Sequence, residues 1–266
     1  MSFRRGLGVV LLTALFLLPL VAMLLGALRD PVQVPQRGFD LLATDFRWAN
    51  FRDVFSFVPL WTFLRNSGLV VLIAVPVTVV VASMAGFGIA QAQPKVARRW
   101  VVVSLIAMMV PLAALWIPKF VMFKWLGLLD SIWPLVSPAL MGTTPFYVLL
   151  FALVYSRLPK SLFESAELDG LSPLQTWWKV AVPLAKPATF AIAVLAFVWH
   201  WSNFFDPLIY LSTEERFTVS LGMRSLATLE PRLFPLMLAG ALIAAIPAVL
   251  AFLVAQRAFF RRTLEV

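Results

Sequence analysis

The 266-residue chain has no cysteine and a single histidine, His200. Disulfide staples and thiolate metal centres are therefore excluded, and no cluster of His and carboxylates has metal-ligand spacing. Charge is scarce as well, at 13% of residues against 61% hydrophobic. A soluble domain needs more polar surface than that, which points to a membrane protein. Two catalytic signatures are also missing. No G-x-x-x-x-G-K-[ST] phosphate loop occurs, and no Ser/His/Asp arrangement is apparent, so the chain is expected not to be an enzyme by itself. Internal repeats and low-complexity segments are lacking too.

What is present is apolar sequence gathered into blocks. Uncharged stretches cover residues 6–28, 66–94, 100–118, 131–156, 187–205 and 233–256. Each has roughly the 20 residues a helix needs to cross a hydrocarbon core of about 30 Å. The expected fold class is therefore an all-α integral membrane protein with six transmembrane helices. Residues 1–30 read as an uncleaved N-terminal span, because the run from Leu7 to Leu28 is longer than the apolar region of a signal peptide. Residues 31–65 read as an extracytoplasmic loop with interfacial Trp48 and Trp61, and 66–266 as a five-helix core. Pro134, Pro138, Gly142 and Pro145 crowd the fourth block, so its helix proper is expected from Pro145. In the second block Ala82, Gly86 and Ala90 recur at four-residue spacing, which lets another helix approach closely. Pro76, Pro111, Pro118 and Pro247 fall in or at the ends of spans, where they bend helices. Residues 119–137, with Lys119, Lys124, Trp125 and Trp133, read as a short amphipathic interfacial piece.

The net charge of +9 is read as a topology signal rather than a nucleic-acid footprint, because basic residues collect beside spans. With the N-terminus inside, segments 1–5, 95–99, 157–186 and 257–266 hold twelve Lys/Arg and four acids, and the outer pieces hold ten and nine. Both termini are then expected in the cytoplasm.

One short insert breaks the oily pattern. Residues 164–175 read ESAELDGLSPLQ, with three carboxylates, a Gly and a Pro. Ser161 and Glu164 have capping-box spacing, and Ser172 and Gln175 repeat it with Pro173 at the first helical position. Gly170 between them is suited to the left-handed conformation that stops a helix. The expectation is a helix, a sharp turn, and a second helix from Pro173 to about Val180 that ends ahead of Pro183. Leu162, Phe163 and Ala166 form one apolar face, and Leu174, Trp177, Trp178 and Ala181 the other. Helices this short must rest those faces on the spans, on the membrane surface or in another protein's groove.

Glu164 to Gly170, then nine residues, then Val180-Ala-Val-Pro183 and Pro187, resembles the EAA loop of ABC importer permeases. Ser165, Val180 and Val182 depart mildly from the family's Ala, Ile and Leu. Asp169 before the glycine, "RNSGLVV" at 65–71, "LGLLDSIWPLVSP" at 126–138 and "WSNFFDPLIYL" at 201–211 are similar to the carbohydrate branch. The likeness covers about residues 60–258, while the tail "FFRRTLEV" departs from the Gly-rich ends common in the family. The resemblance implies a type I importer permease of MetI-like architecture in a bacterial or archaeal cytoplasmic membrane. It places the EAA loop at 157–187 as a cytoplasmic coupling-helix hairpin. Glu164, Ser165, Ala166, Asp169, Gly170, Leu171 and Pro173 are then the ATPase-coupling residues. It further implies a second permease subunit, two ATP-binding subunits that hold ATP and Mg²⁺, and an extracytoplasmic solute-binding protein, with no cofactor in this chain.

For the substrate pathway the candidates are Asn66, Ser67, Trp199, His200, Trp201 and Asn203, since aromatic faces beside amides suit a sugar. Span ends also collect Trp and His as interfacial anchors. Competing readings are a permease for a polyamine, amino acid or anion, and an ion-coupled secondary transporter. The latter normally carries carboxylates inside its spans, and the six blocks have none.

Overall fold

The structure is a computed structural model, which describes residues 3–30, 46–229 and 233–263. Among these residues there are helices, turns and loops, and no strand. By contacts the chain divides into two compact units, Met1–Arg65 with Phe217–Pro247 and Asn66–Arg216 with Ala248–Val266.

In the first unit, α1 (Phe3–Ala27) is followed by α2 (Asn50–Phe57) and the first turns of α3 (Leu60–Gln91). Later come α13 (Val219–Leu229) and the first half of α14 (Phe234–Thr263). Buried Asn50 donates from Nδ2 to the carbonyls of Ala27 at 2.8 Å and Arg29 at 2.6 Å. It thereby satisfies carbonyls that the end of α1 leaves without helical donors. The α1 side chains from Val9 to Leu18 are mostly exposed. An outward apolar face of this kind suits hydrocarbon, where exposure has the opposite meaning from exposure in water. Residues 31–45 of the expected 31–65 loop lie outside the described residues. Its end does not, and there the expected boundary moves: α3 begins at Leu60 rather than near Asn66.

The second unit holds most of α3, then α4 (Pro94–Met109), α5 (Leu112–Trp125), α6 (Trp133–Val136), α7 (Pro145–Ser156) and α8 (Lys160–Leu168). After these come α9 (Pro173–Thr176), a π turn (Trp177–Ala181), α10 (Val182–Leu184), α11 (Lys186–Trp201) and α12 (Phe205–Tyr210). As expected, the fourth block is irregular up to Met141 and helical from Pro145. Among the described residues, four helices are long and apolar enough to cross a membrane, and up to six spans result if two bent pairs each count as one.

Those bends have local causes. Between α4 and α5 the chain turns by 89°. Val110 there takes the extended conformation, as a residue before proline must, and Pro111 starts the new helix. Residues 119–125 therefore belong to apolar α5 and form no separate amphipathic piece. At Ala185 the chain turns by 87°. Pro187 has no N–H to offer the carbonyl of Pro183 four residues back, so the helix cannot run straight through. Pro76, Pro118 and Pro247, by contrast, lie inside continuous helices.

Close packing of α3 on α7 follows from one glycine. A Cβ on Gly86 would sit 2.5 Å from Phe151 Cβ and 2.8 Å from backbone atoms of Val148 and Ala152. The small-residue spacing on α3 thus marks a backbone-to-backbone contact. Around it lies the core of Ala82, Phe87, Tyr147, Phe151 and Tyr155, joined by Trp177 and Ala181.

Candidate functional site

The insert folds as a helix–turn–helix. Gly170 has φ +77°, in the left-handed region that glycine enters without a Cβ penalty. Its N–H donates to the Glu167 carbonyl at 2.9 Å, and Leu171 N–H donates to the Ala166 carbonyl at 3.0 Å. These two bonds close α8 in a Schellman motif. Across the turn, Ser172 and Gln175 form the expected capping box, with Ser172 N–H donating to Gln175 Oε1 at 2.9 Å.

Two local expectations are corrected. Ser161 does not cap α8, because the helix starts directly after Pro159, whose ring fixes φ at −57°. Ser161 is thereby already inside the first turn. The second helix does not stop ahead of Pro183 either. It continues to Leu184 through the π turn, in which Val182 N–H reaches back to the Trp177 carbonyl. Pro183 cannot donate to the Lys179 carbonyl, and the wider turn absorbs that missing bond.

The hairpin has two unlike sides. Ala166, Thr176, Trp177 and Ala181 are buried, and Phe163 is half-buried. Trp177 Nε1 donates to Ser83 Oγ at 2.9 Å, and Ser83 Oγ lies 2.6 Å from the Tyr155 hydroxyl. Phe87 packs edge-on to Tyr155 and to Phe163, with centroids 5.7 Å and 5.8 Å apart. The apolar side therefore rests on the protein's own spans α3 and α7. Glu164, Ser165, Asp169, Gly170 and Pro173 are exposed on the outward side, Leu171 is half-buried, and Ala166 faces inward. Leu174 and Trp178, grouped with Trp177 by periodicity, are 59% and 62% exposed.

The pathway candidates do not converge. Trp199 lines an apolar cleft of about 1060 Å³ between α4, α5, α7 and α11. Buried His200 turns inward, with Nε2 at 3.2 Å from Thr143 Oγ1, which in turn bonds to Thr78 Oγ1. Trp201 is buried and stacks on Phe197. Asn203 closes the turn into α12, donating to Asp206 Oδ2 at 2.7 Å and accepting from Asp206 N–H. Asn66 Nδ2 donates to the Glu215 carbonyl at 2.8 Å, and Ser67 is buried. Helix periodicity alone sends successive residues of 199–201 to different faces. The other polar side chains lining this cleft are Lys119, Ser137, Thr143, Thr144, Tyr147 and Ser202. Gly142-Thr143-Thr144-Pro145, where Gly142 and Thr143 both have positive φ, is the signal that could have found two of them.

At the other end of α3 the chemistry is ionic. Asp130 Oδ1 accepts from the N–H groups of Ser212 at 3.0 Å and Thr213 at 3.1 Å. The Thr213 hydroxyl donates to Oδ2, and Arg216 Nε lies 3.7 Å from the same oxygen. Burial alone would push the Asp130 carboxyl up. The Thr213 hydroxyl, the two N–H groups and the Arg216 charge outweigh it and hold the group below its ordinary value.

An all-helical chain with bent apolar spans and an anchored, outward-facing polar hairpin is the architecture of a membrane permease. The chain belongs to the family of binding-protein-dependent transport system inner membrane components, which matches residues 78–264. It is 30% identical over 260 residues to the arabinooligosaccharides transport system permease protein AraQ of Bacillus subtilis (strain 168), covering 94% of this chain and 89% of that one. It is also 30% identical over 210 residues to the lactose transport system permease protein LacG of Rhizobium radiobacter, covering 79% and 76%. A chain in the crystal structure of a bacterial ABC transporter that imports the acidic polysaccharide alginate shares the fold. Its TM-score is 0.79 at 21% identity, over 97% of this chain and 98% of that one.

Proposed function

We propose that this chain forms half of the translocation pathway of an ATP-driven importer for a carbohydrate or related polyol. The observation that carries the reading is the two-sided hairpin, whose buried face is fixed to α3 and α7 while Glu164, Asp169 and the Gly170 turn face outward. In this reading the outward side seats a separate ATPase subunit, and ATP and Mg²⁺ belong to that subunit. Glu164 and Asp169 give it charge contacts, and Gly170 sets the angle of the turn. The hairpin and both termini lie in the cytoplasm. A second permease completes the pathway, and a solute-binding protein delivers to the Asp130 end.

The carbohydrate assignment rests on the names of the relatives and on the cleft, which Trp199, Thr143, Thr144 and Ser202 line together. Sugars offer an apolar ring face and a hydroxylated rim, which such a surface matches. One observation favours an acidic saccharide within that class: Lys119 is the charged side chain on the cleft wall. The test is purification of the chain with its neighbours, followed by a ligand screen on the cognate binding protein. A stoichiometric ATPase and a saccharide ligand are expected. A complex without an ATPase, or a binding protein that takes only amino acids or polyamines, rejects the reading. Lys119→Gln should reduce uptake of an acidic saccharide about tenfold and leave a neutral one unchanged.

A further inference from the structure

Three elements meet at one buried serine. Trp177 in the π turn of the hairpin, Ser83 on α3 and Tyr155 at the end of α7 are 7%, 2% and 1% exposed. Tryptophan can only donate, so Ser83 Oγ must accept the indole proton at 2.9 Å while also bonding the Tyr155 hydroxyl at 2.6 Å. Separating them inside an apolar core leaves an indole N–H without an acceptor, which is costly. Side chains joined in this way move together.

The surroundings give the joint direction. Phe87 follows Ser83 by one turn of α3 and meets both Tyr155 and Phe163 edge-on, so α3 holds both helices of the hairpin. At Gly86 the backbones of α3 and α7 touch, which leaves no slack between those two spans. Along the chain the hairpin reaches α11 only through the 87° elbow at Ala185. A lever attached only by this elbow and by the three-residue link from α7 at 157–159 would swivel at both and pass little displacement on.

We propose that Ser83 is the anchor through which movement of the hairpin reaches the α3–α7 pair, with Trp177 and Ser83 as positioning residues for coupling. This rests on the reading of the hairpin as the ATPase-facing element. Core packing alone would be met by Phe, Ala or Leu at these positions. The hydrogen-bonded joint adds a fixed register between the lever and the spans.

The chain has no cysteine, so a single introduced thiol can carry a reporter. The complete importer, with its partner subunits, is labelled with an environment-sensitive fluorophore on L69C, an exposed position about four turns before Ser83 on α3. The probe for motion is ATP, Mg²⁺ and vanadate. Ser83→Ala and Trp177→Phe should each reduce the ATP-dependent fluorescence change about fivefold, the effect of one buried hydrogen bond. ATP hydrolysis should stay within about twofold of the parent, since these residues do not touch nucleotide. Ser83→Thr, which keeps the hydroxyl, should restore the change, and the double variant should be no worse than either single one. Parental amplitude in both Ser83→Ala and Trp177→Phe overturns the proposal and leaves the hairpin reading intact. A parent complex that carries no ATPase removes the hairpin reading, and the proposal with it.

Discussion

Helix α3 makes polar contacts at both of its ends, and the two are chemically opposite. At Ser83 the contact is neutral, aromatic and buried. At Asn66 it is a carbonyl on the Glu214–Arg216 segment, which Asp130 and Arg216 hold by an ion pair and backbone hydrogen bonds in exposed surroundings. The 17-residue step from Asn66 to Ser83 puts these contacts roughly 26 Å apart along the helix. Among spans, neutral donors and acceptors that satisfy one another carry little desolvation cost, whereas a charge there is expensive. Where water reaches, charge is tolerated and is weak individually. One end of the helix is therefore built to stay joined, and the other to be set by solution conditions.

The largest way to break the buried end is Gly86→Val. Its Cβ would meet Phe151 Cβ at 2.5 Å and backbone at 2.8 Å, and backbone cannot move aside as a flexible side chain can. A loss of at least ~2–3 kcal/mol is expected, seen as a lowered unfolding midpoint in detergent. Gly170→Trp sharpens the contrast, since nothing lies within 4 Å of its Cβ position. The cost there is the left-handed backbone, about 1–2 kcal/mol, confined to the turn. Global stability should hold while solute transport per ATP falls more than about tenfold, because on the proposed reading the surface offered to the ATPase changes shape. Normal transport in that variant would remove the lever assignment.

Ser172→Ala should cost about 1 kcal/mol by loss of the capping box, and hydrogen exchange should show fraying limited to α9. Spread of that exchange into α7 would show that the cap supports more than its own helix. At the ionic end the effect is smallest and depends on pH. The folded Asp130 carboxyl sits below its ordinary value, so its stabilisation is fully present above the unfolded value of about 3.9. It is lost as pH falls through the lower folded value. Amide exchange at Ser212 and Thr213, corrected for intrinsic rates, should stay constant from about pH 8 to 5 and rise below about pH 4. Asp130→Asn should abolish that rise, with no change at Trp177.

Much of the architecture was legible in the sequence because it depends on neighbours a few residues apart. The apolar blocks, the start of α7 at Pro145, the left-handed stop at Gly170 and the Ser172–Gln175 box are all of this kind. Where two local signals competed, the reading failed. Pro159 outranked Ser161 as the start of α8, and Pro183 was absorbed by a π turn instead of ending a helix. The residues that share the cleft were the least legible. Trp199, His200 and Trp201 are adjacent in sequence, yet only Trp199 reaches the cleft, while Lys119, Thr143 and Thr144 come to it from distant stretches.

Sequence alone determined that this chain crosses a membrane, where its spans lie and where its polar hairpin turns, since hydrocarbon thickness, proline and glycine act on the backbone locally. Only the tertiary structure decided which of two adjacent tryptophans is buried, which serine receives it and which side chains share a cleft. Those outcomes depend on how helices far apart in the chain pack together, and no local periodicity encodes that meeting.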